Sequence, residues 1–76
     1  MRNRMTVRNR IKELVDAQGK SRYRFWKDIG VSQNTAYGLY DDPAQIPTGD
    51  VMDKICRAYG IQPGDFLIYI PDEAAA

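Results

Sequence analysis

The sequence has no histidine and only one cysteine, Cys56, among its 76 residues. A lone cysteine excludes an internal disulfide bond, and the usual ligands of a zinc site are missing. There is no glycine-rich phosphate loop, and no carboxylates are clustered at catalytic spacing, since Asp41 and Asp42 are neighbours of the kind found in exposed turns. We therefore expect no enzymatic activity, no catalytic residue, no metal and no cofactor.

Long apolar runs are also absent. The longest unbroken run covers residues 66–70, whereas a helix that spans a bilayer needs about 20 apolar residues. The N-terminal residues are basic but include no apolar stretch of the kind that defines a secretory signal. We therefore expect a cytoplasmic protein that makes no contact with membranes.

The net charge of +1 conceals a strong division along the chain. Residues 1–27 carry nine basic and two acidic side chains, a net of +7, whereas residues 28–76 carry a net of −6. A basic segment of this kind is typical either of a solvated face or of a surface that lies along a phosphate backbone. A chain of this length forms one domain with one small core. We expect a flexible basic N-terminus at residues 1–5, the domain at 6–70 and a tail at 71–76.

Apolar residues recur at helical spacing through most of the chain and predict a compact, all-α fold of five helices. A cap at Thr6 and a stop at Gly19 bound the first helix, and Thr48 and Gly60 bound the fourth. Loop-forming residues 41–47 separate the third helix from the fourth. The predicted helices cover residues 7–18, 22–29, 33–40, 49–59 and 63–70.

The most informative segment is Ser21 to Leu39, which reads as two short helices joined by a sharp turn. Ser21 and Ser32 can each cap a helix with the side-chain hydroxyl, and Gly30 can adopt the left-handed conformation that ends the first one. The apolar residues of the segment then face each other and the rest of the domain. They are Phe25, Ile29, Val31, Ala36 and Leu39.

This segment resembles the helix-turn-helix of the Cro and lambdoid-repressor group, the XRE family of bacterial and phage regulators. The likeness extends over residues 6–70, because helices of suitable length precede and follow the motif. The resemblance implies a small transcriptional regulator that binds double-stranded DNA. It further implies a homodimer on a palindromic operator.

Three residues point outward from the second helix of the motif and are the expected base contacts: Gln33, Asn34 and Tyr37. The carboxamides of Gln33 and Asn34 match the donor and acceptor of adenine, and both occupy positions that lambdoid repressors use to contact bases. Tyr37 fits a contact to a thymine methyl group or a phosphate, and fits a partly buried aromatic residue equally well. The expected phosphate contacts are Arg10, Ser21, Arg22 and Ser32, with Arg2 and Arg4 as an arm toward a minor groove.

The five apolar residues at 66–70 cannot all share one side of a helix. The resemblance implies a dimer interface here, formed by Ile68, Tyr69 and Ile70. Two alternatives remain open: the segment is wedged into a groove of its own domain, or residues 67–70 form a strand that pairs with its copy across a two-fold axis.

Several residues depart from the family pattern. Trp26 stands where alanine is usual and Ala36 where a branched residue is usual, which we interpret as a compensated pair. Gly38 removes a side chain where relatives often contact a base, which allows closer approach to DNA. Asp41 and Asp42 follow where relatives often contact phosphates. The acidic pair, Gly38 and the apolar run at 66–70 support an alternative to the DNA-binding regulator, a protein-interaction module that keeps the scaffold, and an antitoxin with a protein partner is a third possibility.

Overall fold

The computed structural model describes residues 6–71, which form four α-helices and one two-stranded antiparallel sheet. The longest of these helices has 11 residues, and none in this part of the chain is long and apolar enough to cross a membrane. The elements in order are β1 (Thr6–Asn9), α1 (Ile11–Ala17), α2 (Arg22–Ile29), α3 (Gln33–Asp41), α4 (Gly49–Tyr59), a 3₁₀ turn (Pro63–Asp65) and β2 (Leu67–Ile70).

The three central helices confirm the predictions from caps and periodicity. Helix α4 begins after Thr48, whose Oγ1 accepts a hydrogen bond from the backbone N–H of Val51 at 3.3 Å. It ends at Gly60, whose N–H donates to the carbonyl of Cys56 at 2.7 Å. Its outer Asp53–Arg57 ion pair forms at 2.7 Å. Ala58 of the same helix is exposed.

The first helix is shorter than predicted, and Thr6 does not cap it. Thr6–Asn9 forms β1 instead, and α1 begins only at Ile11. The spacing of Val7 from Ile11 fits a helix, but a strand here gains backbone hydrogen bonds along one edge from a partner that local spacing does not reveal. The prediction for residues 7–10 was therefore wrong, although the helix does end just before Gly19.

The predicted fifth helix is wrong as well, so the fold is neither five-helical nor strictly all-α. A 3₁₀ turn at Pro63–Asp65 leads directly into β2, which pairs with β1 of the same chain and places Val7 opposite Tyr69. Consecutive apolar residues suit a strand that presents side chains on both of its faces. The alternative of a strand is confirmed, with β1 as its partner.

The core lies between the helices and the turn that precedes β2. Each α-helix contributes at least one buried apolar side chain, and helix packing against a single small core is the arrangement expected for a domain of this size. Phe25 and Phe66 are the largest of the fully buried side chains. The buried apolar residues are Ile11, Val15, Phe25, Ile29, Ala36, Leu39, Ile55 and Phe66.

Asn9 is the buried polar residue of this core and connects three parts of the fold. Its Oδ1 accepts from the backbone N–H of Ile11 at 3.0 Å, at the start of α1. Its Nδ2 donates to the carbonyls of Asp42 at 3.1 Å and Gln45 at 2.6 Å, in the loop between α3 and α4. Asn9 thus ties that loop to β1 and α1.

Two tyrosines hold the central helices to their neighbours. The Tyr40 hydroxyl of α3 donates to Asp16 of α1 at 2.6 Å, and the Tyr59 hydroxyl of α4 donates to Asp28 of α2 at 2.9 Å. Hydrogen bonds from Lys12 and then from Tyr40 lower the pKa of Asp16. A polar contact therefore joins α3 to α1 and another joins α4 to α2, in addition to the packing of the core.

Candidate nucleic-acid interface

Helices α2 and α3 form the predicted two-helix unit with its three caps in place. The Ser21 hydroxyl oxygen accepts from the backbone N–H of Arg24 at 3.0 Å, and that of Ser32 accepts from the N–H of Thr35 at 3.2 Å. Gly30 has a φ of 71° and donates its N–H to the carbonyl of Trp26 at 3.2 Å. The left-handed glycine permits the chain to reverse within three residues.

Burial divides α3 into an inner and an outer face. Ala36 and Leu39 are buried against the core, whereas Gln33 and Asn34 are exposed in the first turn. Tyr37 lies one turn further and is half-buried. The structure therefore places the three expected base contacts together at the N-terminal end of the outer face, with Tyr37 the least accessible of them.

Arg22 reaches from the start of α2 onto the outer face of α3. Its guanidinium carbon lies 4.1 Å from the centre of the Tyr37 ring, and its Nη1 lies 2.7 Å from a carboxylate oxygen of Asp41. Both side chains of the ion pair remain about half exposed. Arg22 is thus held beside Tyr37 and Asp41, and part of its positive charge is offset by Asp41.

Trp26 packs at the turn between the two helices. Its indole N–H donates to the carbonyl of Val31 at 2.8 Å, and its ring meets that of Tyr37 edge to face with centres 6.1 Å apart. The structure brings the Trp26 ring to Tyr37, the neighbour of the buried Ala36. This contact holds the Tyr37 ring in place, and the same ring stacks against the guanidinium of Arg22.

Asp41 and Asp42 each have partners in the protein. Asp41 accepts from Arg22, as described above. The Asp42 carboxylate accepts from the backbone N–H of Ala44 at 3.0 Å and so shapes the loop after α3. A turn-forming aspartate of this kind is a common loop element. The acidic pair therefore contributes to the architecture of the surface.

Ion pairs also reduce the charge of the basic half of the chain. Arg24 and Lys20 both lie near Asp28, at 2.9 and 3.5 Å. Burial of Asp28 raises its pKa, but the hydrogen bonds from Tyr59 and Arg24 outweigh this and the net pKa is lowered. Within residues 6–71, the exposed basic side chains without an ion pair are Arg8, Arg10 and Lys27.

The predicted phosphate contacts occupy different positions. Ser21 and Arg22 lie at the N-terminus of α2, where free backbone N–H groups attract anions. The Ser32 hydroxyl caps α3 and also donates to the Oγ1 of Thr35 at 2.8 Å. Arg10 is exposed just before α1. Arg2 and Arg4 lie outside the described residues.

A capped helix-turn-helix with an exposed polar first turn is the architecture of the helix-turn-helix class of DNA-binding domains. The family model of the Cro/C1-type HTH DNA-binding domain matches residues 10–72, and the chain belongs to this family. The match confirms the XRE assignment and supports DNA binding by a small transcriptional regulator. Comparisons with curated proteins and with solved structures gave no match.

Sequence reasoning missed two residues that shape this surface. Asn9 was assigned to a helix, because the spacing did not reveal that α1 starts only at Ile11. Gln45 carried no signal, because its position depends on the path of the loop. Its side chain lies against Gly38, so the space above that glycine is filled by Gln45 rather than open to DNA.

Proposed function

We propose that this protein is a sequence-specific DNA-binding regulator that inserts α3 into the major groove. The observation that carries this proposal is the pair of exposed carboxamides, Gln33 and Asn34, in the first turn of a helix whose opposite face is buried. A major groove admits one α-helix, and residues near its N-terminus reach the base edges. The domain that carries the function is proposed to span residues 6–70.

Gln33, Asn34 and Tyr37 are the proposed base-reading residues. The carboxamide oxygen can accept from adenine N6 while its nitrogen donates to adenine N7. Tyr37 contacts both Trp26 and Arg22, and these contacts would hold its ring in place beside the two carboxamides. This arrangement favours sites that contain A·T pairs.

Arg10, Ser21, Arg22 and Ser32 are the proposed phosphate contacts. The N-terminus of α2 offers free N–H groups and the positive end of the helix dipole. Exposed Arg10 adds a cation at the start of α1. These contacts would position the protein on the duplex without selecting a sequence.

The proposed regulator is a homodimer that uses Ile68, Tyr69 and Ile70. Tyr69 is 55% exposed and its cross-strand neighbour Val7 is 46% exposed, so an apolar patch lies on the ribbon formed by β1 and β2. In residues 6–71, only β1 pairs with β2. A palindromic operator would require the two α3 helices of such a dimer to lie about 34 Å apart.

Selection of bound sequences from random duplexes, followed by titration at several salt concentrations, tests the proposal. Replacing Gln33 and Asn34 with alanine is expected to relax preference at one or two positions in each half-site, by roughly 1–3 kcal/mol each. Arg22→Ala is expected to weaken binding to all sequences alike and to reduce the salt slope by about 1. Absence of binding to any duplex at low salt would contradict the proposal and favour a protein-interaction module or an antitoxin.

A further inference from the structure

Gly38 lies on the outer face of α3, one turn beyond Asn34. At 3.6 residues per turn, Asn34 and Asp41 run along the middle of this face, with Tyr37 on one flank and Gly38 on the other. Arg22 covers the Tyr37 flank, as its stacked guanidinium shows. The glycine flank has no side chain of its own.

The side chain of Gln45 occupies the space that this glycine leaves. A methyl group on Gly38 would lie 2.6 Å from Oε1 of Gln45, 3.0 Å from its Nε2 and 3.1 Å from its Cδ. The carboxamide therefore rests directly on the helix backbone. Only glycine at position 38 permits so close an approach.

The backbone of Gln45 is fixed on both sides. Its N–H donates to the carbonyl of Asp42 at 3.1 Å, and its carbonyl accepts from the Nδ2 of buried Asn9 at 2.6 Å. The loop is thus attached to the domain at the residue whose side chain lies on α3. Gln45 itself remains exposed to solvent.

We infer that Gln45 is a specificity-determining residue that reads a base from the loop after α3, in the place of the side chain missing at Gly38. Its carboxamide has the donor and acceptor that match an adenine edge, and Gly38 and Asn9 set its position. The base that it reads lies beside the one contacted by Asn34. This inference rests on the proposed function, because it assumes that α3 enters the major groove.

The test is a double-mutant cycle with the variants Gln45→Ala, Gly38→Ala and the double variant, each put through the same selection from random duplexes. Gln18→Ala, an exposed glutamine outside the helix-turn-helix, is the matched control. Gln45→Ala is expected to lose preference for adenine at one position per half-site, by roughly 5- to 150-fold. Gly38→Ala is expected to lose the same preference because the added methyl group displaces the carboxamide.

The double variant is expected to match either single variant, since both remove one contact. Alanine favours a helix more than glycine does, and the atoms displaced are the far end of a flexible side chain, so Gly38→Ala should melt no lower than the parent. Loss of preference at unchanged stability would separate base reading from folding.

Two results would overturn the inference and leave the proposed function intact. One is a base preference that Gln45→Ala leaves unchanged at every position of the half-site, while Asn34→Ala does change the preference at one position. The other is a double variant whose loss of base preference equals the product of the losses in Gly38→Ala and Gln45→Ala, since the two residues would then act independently. If the parent protein binds no duplex at low salt, both the inference and the proposed function fail.

Discussion

At the scale of single residues, the ion pair between Arg22 and Asp41 offsets part of the positive charge of the proposed DNA-binding surface. A phosphate that approaches Arg22 must compete with a carboxylate 2.7 Å from the guanidinium. Because both side chains are solvated, the pair itself is weak, worth about 1 kcal/mol at most. Its effect should therefore be visible in binding rather than in folding.

We predict that Asp41→Asn strengthens DNA binding by about 2- to 5-fold at low salt, since it frees Arg22 and removes a charge that repels phosphate. The plot of log affinity against log salt should become steeper, by less than the slope of about 1 that Arg22→Ala removes. Fluorescence anisotropy with one labelled duplex measures both quantities. Asp53→Asn, which breaks a similar exposed ion pair on α4, is the control and should change neither.

The sequence predicted the exposure of Gln33 and Asn34, because the Ser32 cap fixes where α3 begins and the apolar residues show which of its faces is buried. It could not predict the partners of Arg22 or Gly38. Arg22 and Asp41 are 19 residues apart, and their contact depends on how α2 crosses α3. Gln45 reaches Gly38 only because buried Asn9 fixes the loop. Contacts of this kind depend on how the elements pack against each other, so the spacing of residues within one element does not predict them.

At the scale of elements, Asp28 is the link between α2 and α4. It accepts from Tyr59 and Arg24, and its side chain is only 19% exposed. Its net pKa is lowered in the folded protein, although burial opposes this. The charged carboxylate thus stabilises the fold at pH values above its ordinary pKa of about 4, and this stabilisation is lost as pH falls through the lower folded value.

We predict that Asp28→Asn destabilises the protein by roughly 1–3 kcal/mol near pH 7, because hydrogen bonds to a charged acceptor are replaced by weaker ones. The difference from the parent should narrow as pH falls below about 4, where the parent also loses the charge. Thermal melts monitored by circular dichroism between pH 3 and 7 check this. Asp50→Asn, at a residue whose side chain is 78% exposed, should cost little at any pH. A constant difference across the range would contradict the role assigned to the charge.

Some elements are specified by residues next to them in the sequence, and others depend on a distant partner. Each of the helices α2, α3 and α4 begins directly after a residue whose side chain caps it, and all three helices were predicted from sequence. Strands β1 and β2 lie at opposite ends of the described chain and stabilise each other only as a pair. Short apolar segments are ambiguous between helix and strand until the partner is known. For that reason the errors fell at residues 7–10 and 63–70.

At the scale of the whole molecule, the ribbon of β1 and β2 carries an exposed apolar patch, whereas α2 carries three basic residues, the most of any element. Tyr69 contributes the most exposed side chain of β2. Burial of such a patch against a second copy is favoured by about 25 cal/mol for each Å² removed from water. The surface available for self-association is thus separate in sequence from α3.

We predict that Tyr69→Glu weakens self-association at least tenfold, since the change places a charge in the proposed apolar contact. Sedimentation equilibrium over a range of protein concentrations measures the effect. Tyr23→Glu is the matched control, because Tyr23 is similarly exposed, at 56%, but lies on α2. A monomeric parent at every concentration, or an unaltered dimer in Tyr69→Glu, would exclude the proposed interface.

Asn9 belongs to β1 and at the same time holds the carbonyl of Gln45. A partner bound on the ribbon would therefore contact the strand that holds the loop after α3. Under the proposed dimer, self-association and operator binding become thermodynamically coupled through one amide group. Such coupling is reciprocal, so the operator should tighten the dimer by the same factor by which dimer formation tightens the hold on the operator.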